Sequence, residues 1–263
     1  MPFMPQTVTQ NIVVGAGRVM IGVLDANDQS QGMIYRGETP VFSINAASEN
    51  VSVDSSDGPV KTRLVDVPVG ITYSGTLALR NITDENLKTF LMGEIETITQ
   101  AATPVVDESL TAVQQGNYYQ LGASASNRSG VRGFTALSIT DDVPNPAFTV
   151  TTDYIEYPDQ GMIYIVKGGG IANGTNLLVD YTPVANTRTR IKSSDKGSDA
   201  YEIRFYPDNT SGEDDDWYIP KCRLSPSGDM ALKSRDGPID LNLTISIETL
   251  AGSAQLYRDG VPV

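Results

Sequence analysis

Histidine is absent from this chain of 263 residues, and cysteine and tryptophan occur once each, as Cys222 and Trp217. Without histidine there is no Ser–His–Asp or Cys–His triad and no His-ligated zinc or haem. A single cysteine forms neither an intrachain disulfide nor a Cys-rich metal site. Cations are scarce too: 19 Lys and Arg stand against 32 Asp and Glu, a formal charge of −13. That argues against an outer surface that grips nucleic acid, because phosphate binding needs clustered cations. Long apolar runs are missing. The longest, around Ile12 to Leu24, is broken by Arg18 and several glycines, and falls short of the roughly 20 apolar residues of a membrane-spanning helix. The opening Met1-Pro2-Phe3-Met4-Pro5 has neither the basic residues nor the apolar segment of a secretory signal. These absences predict a soluble protein made in a reducing cytoplasm, without enzymatic activity and without a cofactor.

What remains is a β-forming composition, with 24 Gly and 15 Pro among many Val, Ile and Thr. From Ile239 to Glu248, Ile239, Leu241, Leu243, Ile245 and Ile247 alternate with Asp240, Asn242, Thr244, Ser246 and Glu248. A period of two means one buried and one wet face. Similar strands are predicted through Ile71, Tyr73, Leu77 and Leu79, through Phe42, Ile44 and Ala46, and through Tyr201, Ile203 and Phe205. One helix is predicted. Thr83 caps it, Asp84 and Glu85 suit its positive end, Leu87, Phe90 and Leu91 form its apolar stripe, and Gly93 ends it. Residues 104–184, between Pro104 and Pro183, read as an inserted β-rich domain, leaving 1–103 and 185–263 as the main one. Its predicted strands are Asn117–Gly122, Val131–Thr140, Ala147–Val150, Tyr154–Tyr157, Met162–Val166 and Leu177–Tyr181.

The tempting motifs are weak. Gly168 to Thr175 lacks the Lys of a phosphate loop and precedes a strand, so it reads as a flexible β-loop. Asp208 to Asp216 is densely acidic but misses the spacing of a calcium loop, and reads as a solvated turn. Cys222 lies in the strand-like stretch Tyr218 to Leu224, as a small packed residue. Two features stand out. The link between the strands at Val41–Ala46 and Ile71–Leu79 is long and charged, and reads as a loop holding Asp54, Asp57, Gly58, Pro59, Lys61, Arg63 and Asp66. Loops of this length usually carry function. The amphipathic strands also share a Thr, Ser, Asn and acid face. Together they suggest a sheet that assembles with copies of itself.

The blocks Tyr35-Arg36-Gly37-Glu38-Thr39-Pro40-Val41-Phe42-Ser43-Ile44, Gly70-Ile71-Thr72-Tyr73-Ser74-Gly75-Thr76-Leu77 and Trp217-Tyr218-Ile219-Pro220-Lys221-Cys222-Arg223-Leu224 frame the charged link, the helix and the strand at 239–248. In order and spacing the chain resembles the major tail tube proteins of tailed bacteriophages. The resemblance implies a mainly β fold: a sandwich or barrel with one short helix and an inserted β domain, assembled into a hexameric ring with a continuous lumen barrel. Stacked rings would form a tube in the virion tail, built in the host bacterial cytoplasm. The tube would enclose the tape-measure protein, meet tail terminator and distal tail or baseplate proteins, and pass DNA into the host without binding it. The insert favours a non-contractile tail. The long loop would reach the adjacent ring. Ser43, Asn45, Thr72, Ser74, Thr76, Glu202, Asp240, Asn242, Thr244, Ser246 and Glu248 would line the lumen as a wall free of cations. The alternatives are another β-rich baseplate, connector or secretion-tube subunit, or a carbohydrate- or receptor-binding surface protein built around the insert.

Overall fold

The structure is a computed structural model that describes residues 12–142, 147–193, 198–233, 235 and 237–260. The opening Met1–Pro5 lies outside them. The chain first forms β1 (Gly17–Leu24), β2 (Ser30–Tyr35), β3 (Val41–Asp54), β4 (Arg63–Leu79) and α1 (Asp84–Leu91). Next come β5 (Gly93–Gln100), β6 (Val105–Val113), β7 (Tyr118–Gln120), β8 (Phe134–Asp141), β9 (Tyr154–Tyr157), β10 (Met162–Ile165), β11 (Thr175–Pro183) and β12 (Asn186–Ser193). The last part adds β13 (Ala200–Pro207), β14 (Asp216–Pro226), β15 (Leu241–Ile247) and β16 (Tyr257–Asp259). The protein is mainly β, and α1 is the one α-helix among the described residues.

These elements fall into two units, Met1–Ile95 with Ile191–Val263, and Glu96–Arg190. Pro104 and Pro183 both lie inside the second unit. The paired strands β5 and β12 carry the chain into it and out again.

In the first unit the strand order is β2-β1-β13-β14-β15-β4-β3, with β16 beside β14. Alternation decides the faces. Leu241, Leu243, Ile245 and Ile247 of β15 share one side with Leu77 and Leu79 of β4, Cys222 and Leu224 of β14 and Ile203 of β13. The helix α1 packs on this side against β14 and β15. Thr83 accepts the Asn86 N–H at 3.2 Å and caps its first turn. Phe90 is buried in the cluster and Leu87 packs on it, but Leu91 is 37% exposed. Leu91 is the last helical residue, and Met92, with φ 47°, turns the chain away there. The left-handed cap is therefore Met92 rather than the expected Gly93. Gly93 answers a different need: a Cβ on it would stand 2.4 Å from the Lys192 carbonyl oxygen.

The second unit holds two three-stranded sheets, β6-β11-β8 and β7-β10-β9. Its core gathers Val113, Leu121, Phe134, Ile139, Ile163 and Leu177 with their neighbours. Where the β6–β11 register shifts, side chains take over from the ladder. Ala112 N–H donates to Asn176 Oδ1 at 2.9 Å and Asp107 N–H to Asp180 Oδ1 at 2.7 Å. Two expectations fail in this unit. Ala147–Val150 is no strand, only the isolated bridges Thr140 to Ala147 and Val150 to Tyr154. The glycine run from Gly168 is tied down rather than loose. Gly168 N–H donates to Gln115 Oε1 at 3.0 Å, Gly170 N–H to Asp153 Oδ1 at 2.7 Å, and Ile171 is fully buried.

Candidate functional site: the open sheet and its ribbon

The large sheet is open. Its order ends at β2 and β3, whose outer edges pair with no strand among the described residues. Such edges are templates for another chain. The face opposite the core carries the residues expected to share one surface. Ser43, Asn45, Thr72, Thr76, Asn242 and Ser246 are exposed; Ser74, Asp240, Thr244 and Glu248 are half-buried. The register sets Ser43 beside Thr76, Thr76 beside Thr244, and Ser74 beside Ser246. The hydroxyls of Ser43 and Thr76 lie 2.6 Å apart.

Glu202 departs from that expectation. It sits on the same face but is 3% exposed. Its carboxylate accepts from the Ser30 hydroxyl and, at 2.9 Å, from the Tyr218 hydroxyl. Gly22 makes the space: a Cβ there would stand 2.6 Å from Glu202 Oε1. Burial, and then the bond to Glu202, push the Tyr218 hydroxyl up to about 12. Glu202 is thus a satisfied interior carboxylate and lines no open surface.

The face is also not free of cations. Arg80 donates to Asp240 at 2.9 and 3.3 Å, and Arg223 to Glu248 at 2.8 Å. The bond to Asp240 pushes Arg80 above its ordinary value. Asp240 and Glu248 are therefore each half of an ion pair. Their partners are distant in sequence, so no local pattern announces them.

The charged link is the larger correction. It is a β-ribbon, since β3 and β4 stay paired from Val41 opposite Ala78 out to Asp54 opposite Arg63. Only 55–62 lie between the strands, with Asp57, Gly58, Pro59 and Lys61 exposed in the tip. Ser55 N–H donates to Thr62 O at 2.7 Å and closes it. Asp54 and Asp66 are engaged as well: Arg63 lies 3.9 Å from Asp54 and 3.5 Å from Asp66, and Ser52 donates to Asp66 at 2.8 Å. β15 covers β4 only from Ser74 to Leu79, so the ribbon beyond has no third strand among the described residues.

A bulge lies at the base of the ribbon. Glu49 faces Gly70 and Asn50 faces Pro68, which leaves Val69 unpaired. Beyond it Val51 faces Val67 and Val53 faces Val65. By alternation along β3, these valines lie on the side of Ser43 and Asn45, and Asn50 and Ser52 on the side of the core. The ribbon thus reverses the sheet's amphipathicity. Val51 is 54% exposed and Val67 48%, with Val53 and Val65 exposed beside them. The signal was present in Val51-Ser52-Val53-Asp54 and Val65-Asp66-Val67, where apolar and polar residues alternate.

Burial, and then the charge of Glu248, push the buried Cys222 thiol up, away from its reactive thiolate form. Among the described residues no group of three or more Cys, Asp or Glu could hold a metal, and no helix is long and apolar enough to cross a membrane. What the arrangement offers is pairing edges, a hydroxyl and amide face, and an apolar ribbon. No curated protein matches the chain. Residues 12–256 match one family throughout, and the chain belongs to that family, described as Protein of unknown function UCP028589.

Proposed function

We propose that the protein is the structural subunit of a tailed-bacteriophage tail tube. The observation that carries the reading is the open sheet with its projecting ribbon, whose valines stay about half exposed among the described residues. In this reading β2 of one subunit pairs with β3 of the next, and six subunits close a ring with no free edge. The ribbon reaches the adjacent ring and buries Val51, Val53, Val65 and Val67 there. The hydroxyl and amide face then lines the lumen, where the tape-measure protein lies and DNA later passes. Tail terminator and distal tail or baseplate proteins would close the two ends, in a virion assembled in the host cytoplasm. A baseplate, connector or secretion-tube subunit is the nearest alternative within the same logic.

One observation favours a reading of another class. Tyr118, Tyr157 and Tyr164 cluster on the β7-β10-β9 sheet, with ring centroids 5.5 and 4.8 Å from that of Tyr118, itself exposed. Exposed aromatic rings suit a carbohydrate- or receptor-binding surface. Electron microscopy of the purified chain separates the two. Rings or tubes, lost on Val51→Lys with Val67→Glu while the β-type circular dichroism persists, support the tail-tube reading. A strict monomer at high concentration under several salts, with glycan binding, overturns it in favour of the second.

A further inference from the structure

Three arginines of the second unit gather around one turn without meeting a carboxylate. Arg188 donates from Nη1 to Gln100 Oε1 at 3.3 Å and Asn186 Oδ1 at 3.1 Å, and from Nη2 to Gly130 O at 3.1 Å. Arg190 donates from Nη2 to Asn127 Oδ1 at 2.5 Å and Ser129 Oγ at 2.6 Å. Arg132 donates from Nη1 to Gln160 O at 2.6 Å and Gln120 Oε1 at 3.2 Å. Every acceptor is neutral. No ion pair among the described residues includes any of the three, whereas Arg63, Arg80, Arg223 and Arg258 each face an acid.

The lack of a counter-charge is not for want of acids. Residues 96–190 contain nine Asp and Glu against five Lys and Arg, yet three of those five meet here. The arrangement has a cost that Arg188 registers: burial, and then repulsion from Arg190 and Arg132, hold it below its ordinary value. Bracing the 127–132 turn needs only donors, which Gln or Asn would supply without repulsion. The neutral acceptors also hold each fork in place from one side. Nε and Nη1 of Arg190, Nε and Nη2 of Arg132 and Nε of Arg188 find no acceptor among the described residues, and none of them is sealed from solvent. Open donors on like-charged, oriented guanidinium groups are what a tetrahedral oxyanion needs, since it accepts from several forks at once and cancels their repulsion.

We propose that Arg132, Arg188 and Arg190 form a binding site for an oxyanion of the phosphate class. The ion is either free phosphate or a phosphate ester carried on a larger molecule. Calorimetric titration of the full chain in chloride buffer at constant ionic strength tests this with inorganic phosphate, glycerol 3-phosphate and a glycerol phosphodiester as probes. At least one probe should bind with a dissociation constant of about 1 mM or tighter and raise the melting temperature. Tighter binding of inorganic phosphate assigns the site to the free ion, and tighter binding of the esters to a carried phosphate. Arg188→Gln with Arg190→Gln should weaken binding about tenfold or more. In chloride alone that double variant should melt no lower than the parent, because repulsion has been removed. Absence of heat and of a melting shift with all three probes overturns the proposal. So does a double variant that melts lower in chloride yet keeps the parent's response to phosphate. If the double variant does not fold, the titration of the parent chain decides alone.

Discussion

Ile245 on β15 and Leu177 on β11 are equally sealed from water, each at the centre of its own unit's cluster. Away from those clusters the units diverge. In the second unit, backbone that leaves the ladder is caught at once by Asn176, Asp180, Gln115 or Asp153. Its sheets are short, and its register shifts are satisfied from within. In the first unit the ladder runs past the core into a ribbon where Val51, Val53, Val65 and Val67 are about half exposed. A two-stranded ribbon with an apolar face gains little by itself in water. The second unit satisfies the backbone groups that its ladders release; the first leaves apolar groups exposed among the described residues.

The largest expected effect breaks the symmetry of the two cores. Leu243→Ala in the first unit and Leu177→Ala in the second should each cost about 2–5 kcal/mol, through lost burial and the cavity left behind. Calorimetric melting should show each substitution lowering the transition of its own unit. If both lower one shared transition equally, the units do not melt independently and the comparison fails.

An intermediate effect uses a feature the units share. Tyr218 donates to Glu202 at 2.9 Å in the first, and Tyr181 to Glu108 at 2.6 Å in the second. Burial foremost, then the carboxylate, raises both hydroxyls above their ordinary value. A raised acid binds its proton more tightly when folded. The stability it adds is full below about pH 10, the unfolded value, and is lost as pH rises through the folded one. For Tyr218 the window is therefore about 10 to 12. Tyr218→Phe should flatten the fall in stability over that window, followed by denaturant melts at stepped pH. An unchanged slope would show that Tyr218 titrates freely.

How much of this was legible along the chain varies with the reach of the determining contacts. β15 was readable because Leu241 to Ile247 alternate without interruption. α1 was readable because Thr83, Asp84 and Glu85 mark its start locally. β1 was not, since Val19, Ile21 and Leu24 are buried while Met20 and Val23 are half-buried, so no clean period of two survives. The ribbon was hidden by its bulge: the unpaired Val69 shifts β4 against β3, and the apolar face changes side midway. Glu202 lies on the face its alternation predicts but is buried there, because Ser30, Tyr218 and Gly22 come from three other segments. The arginine cluster has the same origin, since Arg132 lies far in sequence from Arg188 and Arg190.

The smallest expected effect on the fold tests the polar face. Glu248 pairs with Arg223 at 2.8 Å, with side chains 37% and 46% exposed. Pairs this exposed contribute about 0–1 kcal/mol, so Glu248→Lys should leave the melting temperature nearly unchanged. Its electrostatic effect is larger than one substitution suggests. The change replaces an anion by a cation and also unpairs Arg223, so two uncompensated cations face outward from each chain. In the proposed tube they would recur around every ring, along the path of a polyanion. Assembled tails carrying Glu248→Lys should therefore eject DNA more slowly, and more so at low salt, where screening reaches farther. Glu248→Gln, which frees Arg223 alone, should fall between the two. Ejection at the parental rate by intact Glu248→Lys tails at low salt would place this face away from the DNA, and the exposed hydroxyls of Ser43 and Thr76 with it.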